Sequence, residues 1–89
     1  MYAKSTVVIN ASGLHARPAS DFISCASKFK SRVKIGRTID DKRINAKSIV
    51  MLLTLAITKG EEIEIIAEGE DEAEAVDALV ALVDAGINE

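Results

Sequence analysis

Residues 62–68 read Glu-Ile-Glu-Ile-Ile-Ala-Glu, with Ile63, Ile65 and Ala67 alternating against Glu62, Glu64 and Glu68. Successive side chains of an extended chain point to opposite faces, so this segment presents one apolar face and one lined with carboxylates. The apolar face must be covered, and the charged face must stay in water. A chain containing such a strand folds around a sheet with one greasy side.

The remaining segments supply partners for it. Tyr2 to Asn10 is rich in β-branched residues, with Val7 and Ile9 on one face and Lys4, Thr6 and Val8 on the other, which predicts a strand. Ala11-Ser12-Gly13 breaks it. From Ala16 to Lys28 the apolar residues Ala19, Phe22, Ile23 and Ala26 recur at helical spacing, continued by Phe29. Pro18 is compatible with that helix only in its first turn, where its missing N–H is not needed, so the helix begins within a residue or two of His15. Val33 and Ile35 alternate with Arg32 and Lys34, and beyond the polar Asp40-Asp41-Lys42 turn Ile44 marks a short returning strand. Ser48 precedes the apolar run Ile49 to Leu55, which reads as a short helix capped by the Ser48 hydroxyl and closed by Lys59-Gly60; a buried strand is the competing reading. A last helix is predicted from Asp71 to Ala85. Asp71 and Glu74 have capping-box spacing, Val76, Leu79, Val80 and Val83 form the apolar stripe, and Gly86 is placed to end it. The order βαββαβα predicts an α+β fold: a four-stranded antiparallel sheet with three helices on one face and water on the other.

With 89 residues the chain has room for one domain, 1–89, and none for separate substrate-binding and catalytic domains. Such a protein is expected to act with partners. Apolar residues make up 48% of it and aromatics 3%, so the core is aliphatic with Phe22 and Phe29 added. The single cysteine, Cys25, closes no internal disulfide, has no CxxC mate and reads as an ordinary half-buried residue, which fits a reducing compartment. Met1-Tyr2-Ala3-Lys4 does not resemble a signal peptide, and the stretch from Ile49 to Ile57 is far shorter than the ~20 residues a membrane helix needs. A cytoplasmic, monomeric protein is expected. The net charge of −3 divides unevenly, because all 11 Lys and Arg lie in residues 1–60 beside only Asp21, Asp40 and Asp41, while the other 11 of the 14 acids lie in 61–89. Either the basic part docks an acidic partner or a phosphate, or the two parts neutralise each other across the fold. Nucleic acid is disfavoured by the acidic balance and by a basic segment whose aromatics are only Tyr2, Phe22 and Phe29, both Phe on a core face.

His15 is the only histidine, and no second histidine or thiol lies near it in sequence to suggest a metal site. Its setting, Gly13-Leu14-His15-Ala16-Arg17-Pro18, is more telling. The first N–H groups of a helix have no internal partner and favour an anion, and Arg17 adds a charge able to grip phosphate oxygens by two bonds. Gly13 lets the chain turn sharply beforehand, and Pro18 stiffens the first turn. Imidazole is a good nucleophile near neutral pH and an acceptable leaving group when its other nitrogen is protonated, so it can take and release a phosphoryl group. The alternative is a helix-cap histidine with a structural arginine.

The segment Gly13-Leu14-His15-Ala16-Arg17-Pro18-Ala19 resembles the phosphorylation signature of HPr, the histidine-containing phosphocarrier family of the bacterial phosphoenolpyruvate-dependent sugar phosphotransferase system. Ala46-Lys47-Ser48-Ile49 is similar to that family's regulatory-serine segment, and Lys59-Gly60, Ala67-Glu68-Gly69 and the acidic start of the last helix follow its pattern. The resemblance implies an open-faced β-sandwich in which His15 is phosphorylated on Nδ1 by Enzyme I, charged from phosphoenolpyruvate, and then phosphorylates the IIA component of sugar permeases. It further implies that Arg17 neutralises the phosphate, that the backbone of Ala16 and Arg17 donates to it, that Ser20, Lys47, Val50 and Leu53 help form the docking surface, and that the carrier binds no metal or organic cofactor. In low-GC Gram-positive relatives the serine matching Ser48 is phosphorylated by a kinase, which diverts the protein toward gene regulation; a serine kinase or phosphorylase and a transcription regulator are the corresponding partners. A phosphate there would put about −2 charge on an apolar docking face. Two other roles remain open: the nitrogen-branch paralogue, with the same chemistry and other partners, and a regulatory binding module acting through Ser48. The hairpin between Val33 and Ser48 is about two residues longer than in the commonest relatives, Val50 replaces a frequent Met or Phe, and Met51 and Ala56 stand where Gly is frequent in Gram-positive relatives.

Overall fold

The computed structural model describes residues 1–87. Its elements are β1 (Tyr2–Val7), α1 (Ala16–Ala26), β2 (Arg32–Arg37), β3 (Ile44–Asn45), α2 (Ile49–Thr54), β4 (Glu62–Glu68) and α3 (Glu72–Asp84), in the predicted order. The strands form one antiparallel sheet in the order β1-β4-β2-β3. The strand with the strictest alternation, β4, lies between β1 and β2, and its Ile63, Ile65 and Ala67 are fully buried. They meet Val33 and Ile35 of β2, Ala19, Phe22 and Ala26 of α1, Leu52 of α2, and Ala75, Val76, Leu79 and Val83 of α3 in a single core. Among the described residues no helix is long and apolar enough to cross a membrane.

Three local points are settled by the folded chain rather than by the pattern. In β1 the inner face is the even-numbered one, because Thr6 is in register with Ile63 and Lys4 with Ile65. Val8, just past the strand, is fully buried, while Val7 and Ile9 are exposed by 42% and 51%. An edge strand explains this. The flank of α3 covers its inner side, so Lys4 reaches Asp77 at 2.8 Å, the Tyr2 hydroxyl donates to the same carboxylate at 3.1 Å, and the Thr6 hydroxyl donates to Asp84.

The second concerns the start of α3, where Asp71 and Glu74 do not form a capping box. Asp71 stands at the N-cap, but its carboxylate accepts from the amides of Lys30 and Ser31, both at 2.9 Å, and from the Ser31 hydroxyl. It ties the α1–β2 turn to the helix. Glu72 instead reaches back to the amide of Gly69 at 3.2 Å. Third, α1 ends at Ala26 rather than Lys28, its last carbonyls taken up by tight turns through Ser27, Lys28 and Phe29.

The predicted close of α2 at Lys59-Gly60 comes too late, because the helix ends at Thr54 with Leu55 as its C-cap and Ala56 left-handed at φ 50°. Two other signals act as read. The Ser48 hydroxyl accepts from the amide of Met51 at 3.3 Å and caps α2, so the apolar run 49–55 is helical. Gly86, at φ 81°, ends α3: its N–H bonds to the Val83 carbonyl and that of Ile87 to Leu82, both at 3.0 Å. This is the paired closure that a left-handed residue after a helix permits.

Candidate functional site

The loop between β1 and α1 is built before the helix starts. Asn10 is buried, and its Nδ2 donates to the Gly13 carbonyl at 2.7 Å while its own carbonyl accepts the Gly13 amide at 3.1 Å. Gly13 has φ 61°, and a Cβ there would lie 2.4 Å from the Ile57 carbonyl oxygen. Only glycine lets the loop lie this close to the segment after α2. The next amide, of Leu14, then donates to the Ile57 carbonyl at 3.0 Å, and the Leu14 side chain is fully buried. Two backbone anchors and one buried side chain thus fix the residue preceding His15.

His15 is the N-cap of α1, in extended conformation (φ −125°, ψ 163°), and is partly exposed. Its side chain makes no capping hydrogen bond, so the imidazole does not consume the amides at the helix start. Pro18 has no N–H to offer, and Ala19 already donates to the His15 carbonyl at 3.4 Å. The amides of Ala16 and Arg17 therefore open this helix without an internal partner. Arg17 is exposed and forms no ion pair or hydrogen bond among the described residues. Ala16 between them has φ 51°, a left-handed conformation that costs a non-glycine residue roughly 1–2 kcal/mol. The strain arises where a chain pinned at Leu14 must enter a helix within two residues. An imidazole, two unspent amides and an unpaired guanidinium on consecutive residues are a cradle for an oxyanion bonded to, or approaching, the imidazole.

The other predicted residues lie around α1 and α2, which pack on each other. Ser20 is exposed on the first of these helices. On α2 only Leu52 is buried, leaving Val50 exposed by 69% and Leu53 by 42%, with Ile49 and Met51 similarly open. Ser48 is partly exposed at the cap of α2, one residue beyond Lys47. The Lys47 ammonium is not at the His15 loop: it donates to the Phe29 carbonyl at 2.6 Å, beyond the far end of α1. Sequence reasoning missed Asn10 and Ile57. An Asn three residues before a glycine was the available signal for the first; nothing local marks the second, which acts through its carbonyl.

Comparison with known proteins gives this geometry a family. The family model described as the PTS HPr component phosphorylation site matches residues 2–85. The phosphocarrier protein HPr of Haemophilus influenzae is 45% identical over 83 residues, covering 93% of this chain and 95% of that protein. The HPr-like protein Crh of Halalkalibacterium halodurans is 44% identical over 84 residues, covering 94% and 98% respectively. The structure of HPr-C-His from Thermoanaerobacter tengcongensis superposes with a TM-score of 0.95 at 40% identity, covering 100% of this chain and 98% of that one. The chain therefore belongs to the HPr family, the phosphocarriers of the phosphotransferase system.

Proposed function

We propose that this protein relays a phosphoryl group from phospho-Enzyme I to sugar-specific IIA components through a phosphohistidine at His15. The observation that carries the reading is the N-cap imidazole, with no capping bond, beside the Ala16 and Arg17 amides and the Arg17 guanidinium, all without a partner among the described residues. In the loading step an imidazole nitrogen attacks phosphorus, the bond from phosphorus to the donor breaks, and the equatorial oxygens gather charge. The two amides and Arg17 oppose that charge. Because they belong to an exposed helix end rather than a closed pocket, they hold the phosphate moderately, and the reverse attack by the next acceptor remains open to a partner. Ser20, Val50 and Leu53 are proposed to form the docking surface around it, with Lys47 at its margin. The protein is proposed to work in the cytoplasm as a monomer.

The test is to incubate the protein with phosphoenolpyruvate and a matching Enzyme I, then follow phosphorus NMR for an acid-labile, base-stable phosphate. Label that persists in His15→Ala excludes the assignment. A regulatory role through Ser48 is a second reading, supported by the similarity to Crh and by the position of Ser48 at the cap of an apolar, exposed α2. A serine kinase and ATP distinguish the two, since they place an acid-stable phosphate on Ser48.

A further inference from the structure

The segment on which the His15 loop hangs is itself held by a polar clamp. Arg37, the last residue of β2, binds Glu61 by two bonds, Nε to Oε1 at 2.6 Å and Nη2 to Oε2 at 3.1 Å. The same Nη2 donates to the Ala56 carbonyl at 3.2 Å. Glu61 Oε2 also accepts the amide of Thr58 at 2.7 Å. The pair thus grips the carbonyl of residue 56 and the amide of residue 58. Between these grips lies Ile57, fully buried, whose carbonyl accepts the Leu14 amide and abuts Gly13. Ala56 is left-handed at φ 50°, a conformation that an alanine keeps only where its surroundings over-determine it. Side-chain exposures of 21% for Arg37 and 31% for Glu61 leave the pair partly shielded from solvent.

We infer that the Arg37–Glu61 pair is a positioning device for phosphoryl transfer, fixing the Ile57 carbonyl that holds the residue immediately before His15. The inference rests on the phosphocarrier reading. Neither residue reaches the phosphate; both act through backbone, from Arg37 and Glu61 to the 56–58 segment, to Leu14, to the imidazole. The hydrogen bonds of Arg37 and of the Thr58 amide keep the Glu61 carboxylate ionised down to about pH 2, so the clamp stays closed across the working range. The more exposed Lys4–Asp77 pair, at 2.8 Å, serves as the control because it ties β1 to α3 and bonds neither Arg37, Glu61 nor the 56–58 segment.

The experiment compares Arg37→Ala, Arg37→Lys, Glu61→Gln, the double variant Arg37→Ala/Glu61→Ala and the control Asp77→Ala. Transfer from phosphoenolpyruvate through Enzyme I is measured beside amide hydrogen exchange at Leu14 and, as a core reference, at Ile65. Because small misplacements of a reacting group cost up to about a hundredfold, the expected loss of kcat in the clamp variants is roughly 3- to 10-fold with KM unchanged. Leu14 exchanges faster while Ile65 does not, the double variant is no worse than the worse single one, and Asp77→Ala is neutral in both readouts. Arg37→Lys keeps the charge but cannot span Glu61 and Ala56 together, so it restores transfer only in part. Wild-type transfer with Leu14 still protected would overturn the inference, as would a loss of transfer that tracks faster exchange at Ile65. If wild-type protein is labelled elsewhere than His15 the phosphocarrier reading fails, and exchange at Leu14 still reports whether the clamp holds the loop.

Discussion

Ala16 lies between the imidazole and the guanidinium with its Cβ crowding the backbone at φ 51°. Replacing it with glycine removes that strain but frees the unfolded chain, so Ala16→Gly is expected to stabilise by no more than about 1 kcal/mol, read as a higher urea midpoint at unchanged slope. The opposite change at Gly13 has no such compensation. A Cβ placed 2.4 Å from the Ile57 oxygen at φ 61° cannot be accommodated, and Gly13→Ala is expected to cost well over about 1 kcal/mol and to expose the Leu14 amide. Arg17, exposed and without a partner among the described residues, belongs to a third class: Arg17→Ala is expected to slow transfer while stability stays within about 1 kcal/mol. A large melting-temperature drop with transfer intact would make it structural. The start of α1 was legible from Pro18, whose ring dictates a first-turn position. The backbone of Ala16 was not, because nothing in an alanine announces a left-handed residue; the anchor at Leu14 imposes it from outside.

The shortest helix shows most clearly how a local signal resolves an ambiguous element. The apolar run 49–55 fits helix or strand by pattern, and the Ser48 hydroxyl bonded to Met51 is what starts α2 as a helix. Ser48→Ala is expected to lower stability by about 1 kcal/mol in chemical denaturation, the usual worth of an N-cap. Leu52 is the residue that moors α2 to the core, and Leu52→Ala is expected to cost about 2–5 kcal/mol. Truncating exposed Val50 should leave stability nearly unchanged. The cap of α3 read differently, since the Asp71 carboxylate serves the turn at Lys30 and Ser31 rather than its own helix. Spacing within one element cannot reveal a partner 40 residues away.

Over the whole molecule, part of the charge division is cancelled by the fold: Lys4 meets Asp77, Arg37 meets Glu61 and Arg43 meets Glu64, each a base from the first part against an acid from the second. The acid response is carried by Glu61 and by Asp71. Glu61 is lowered from an ordinary 4.5 to about 2 by Arg37 and the Thr58 amide, and Asp71 from 3.8 to about 2 by the Ser31 hydroxyl with the Lys30 and Ser31 amides. Between those values the unfolded chain binds more protons than the folded one, so their stabilisation is complete above about pH 4.5 and is lost as pH falls toward 2. Thermal melts from pH 6 to pH 2 are expected to show this decline, and Glu61→Gln with Asp71→Asn to flatten it.

Period-two alternation in 62–68, helical spacing behind Pro18 and the glycine and serine stops were enough to set the order of elements, the one-sided sheet and the place of His15 at a helix start. Those properties follow from steric and solvation rules that act within a few residues. The inner face of β1, the partners of Asp71, the left-handed turn at Ala16 and the grip of Arg37 and Glu61 on the Ile57 segment were decided by tertiary structure alone. Each depends on which distant backbone group arrives alongside, and that is a property of packing rather than of any local pattern.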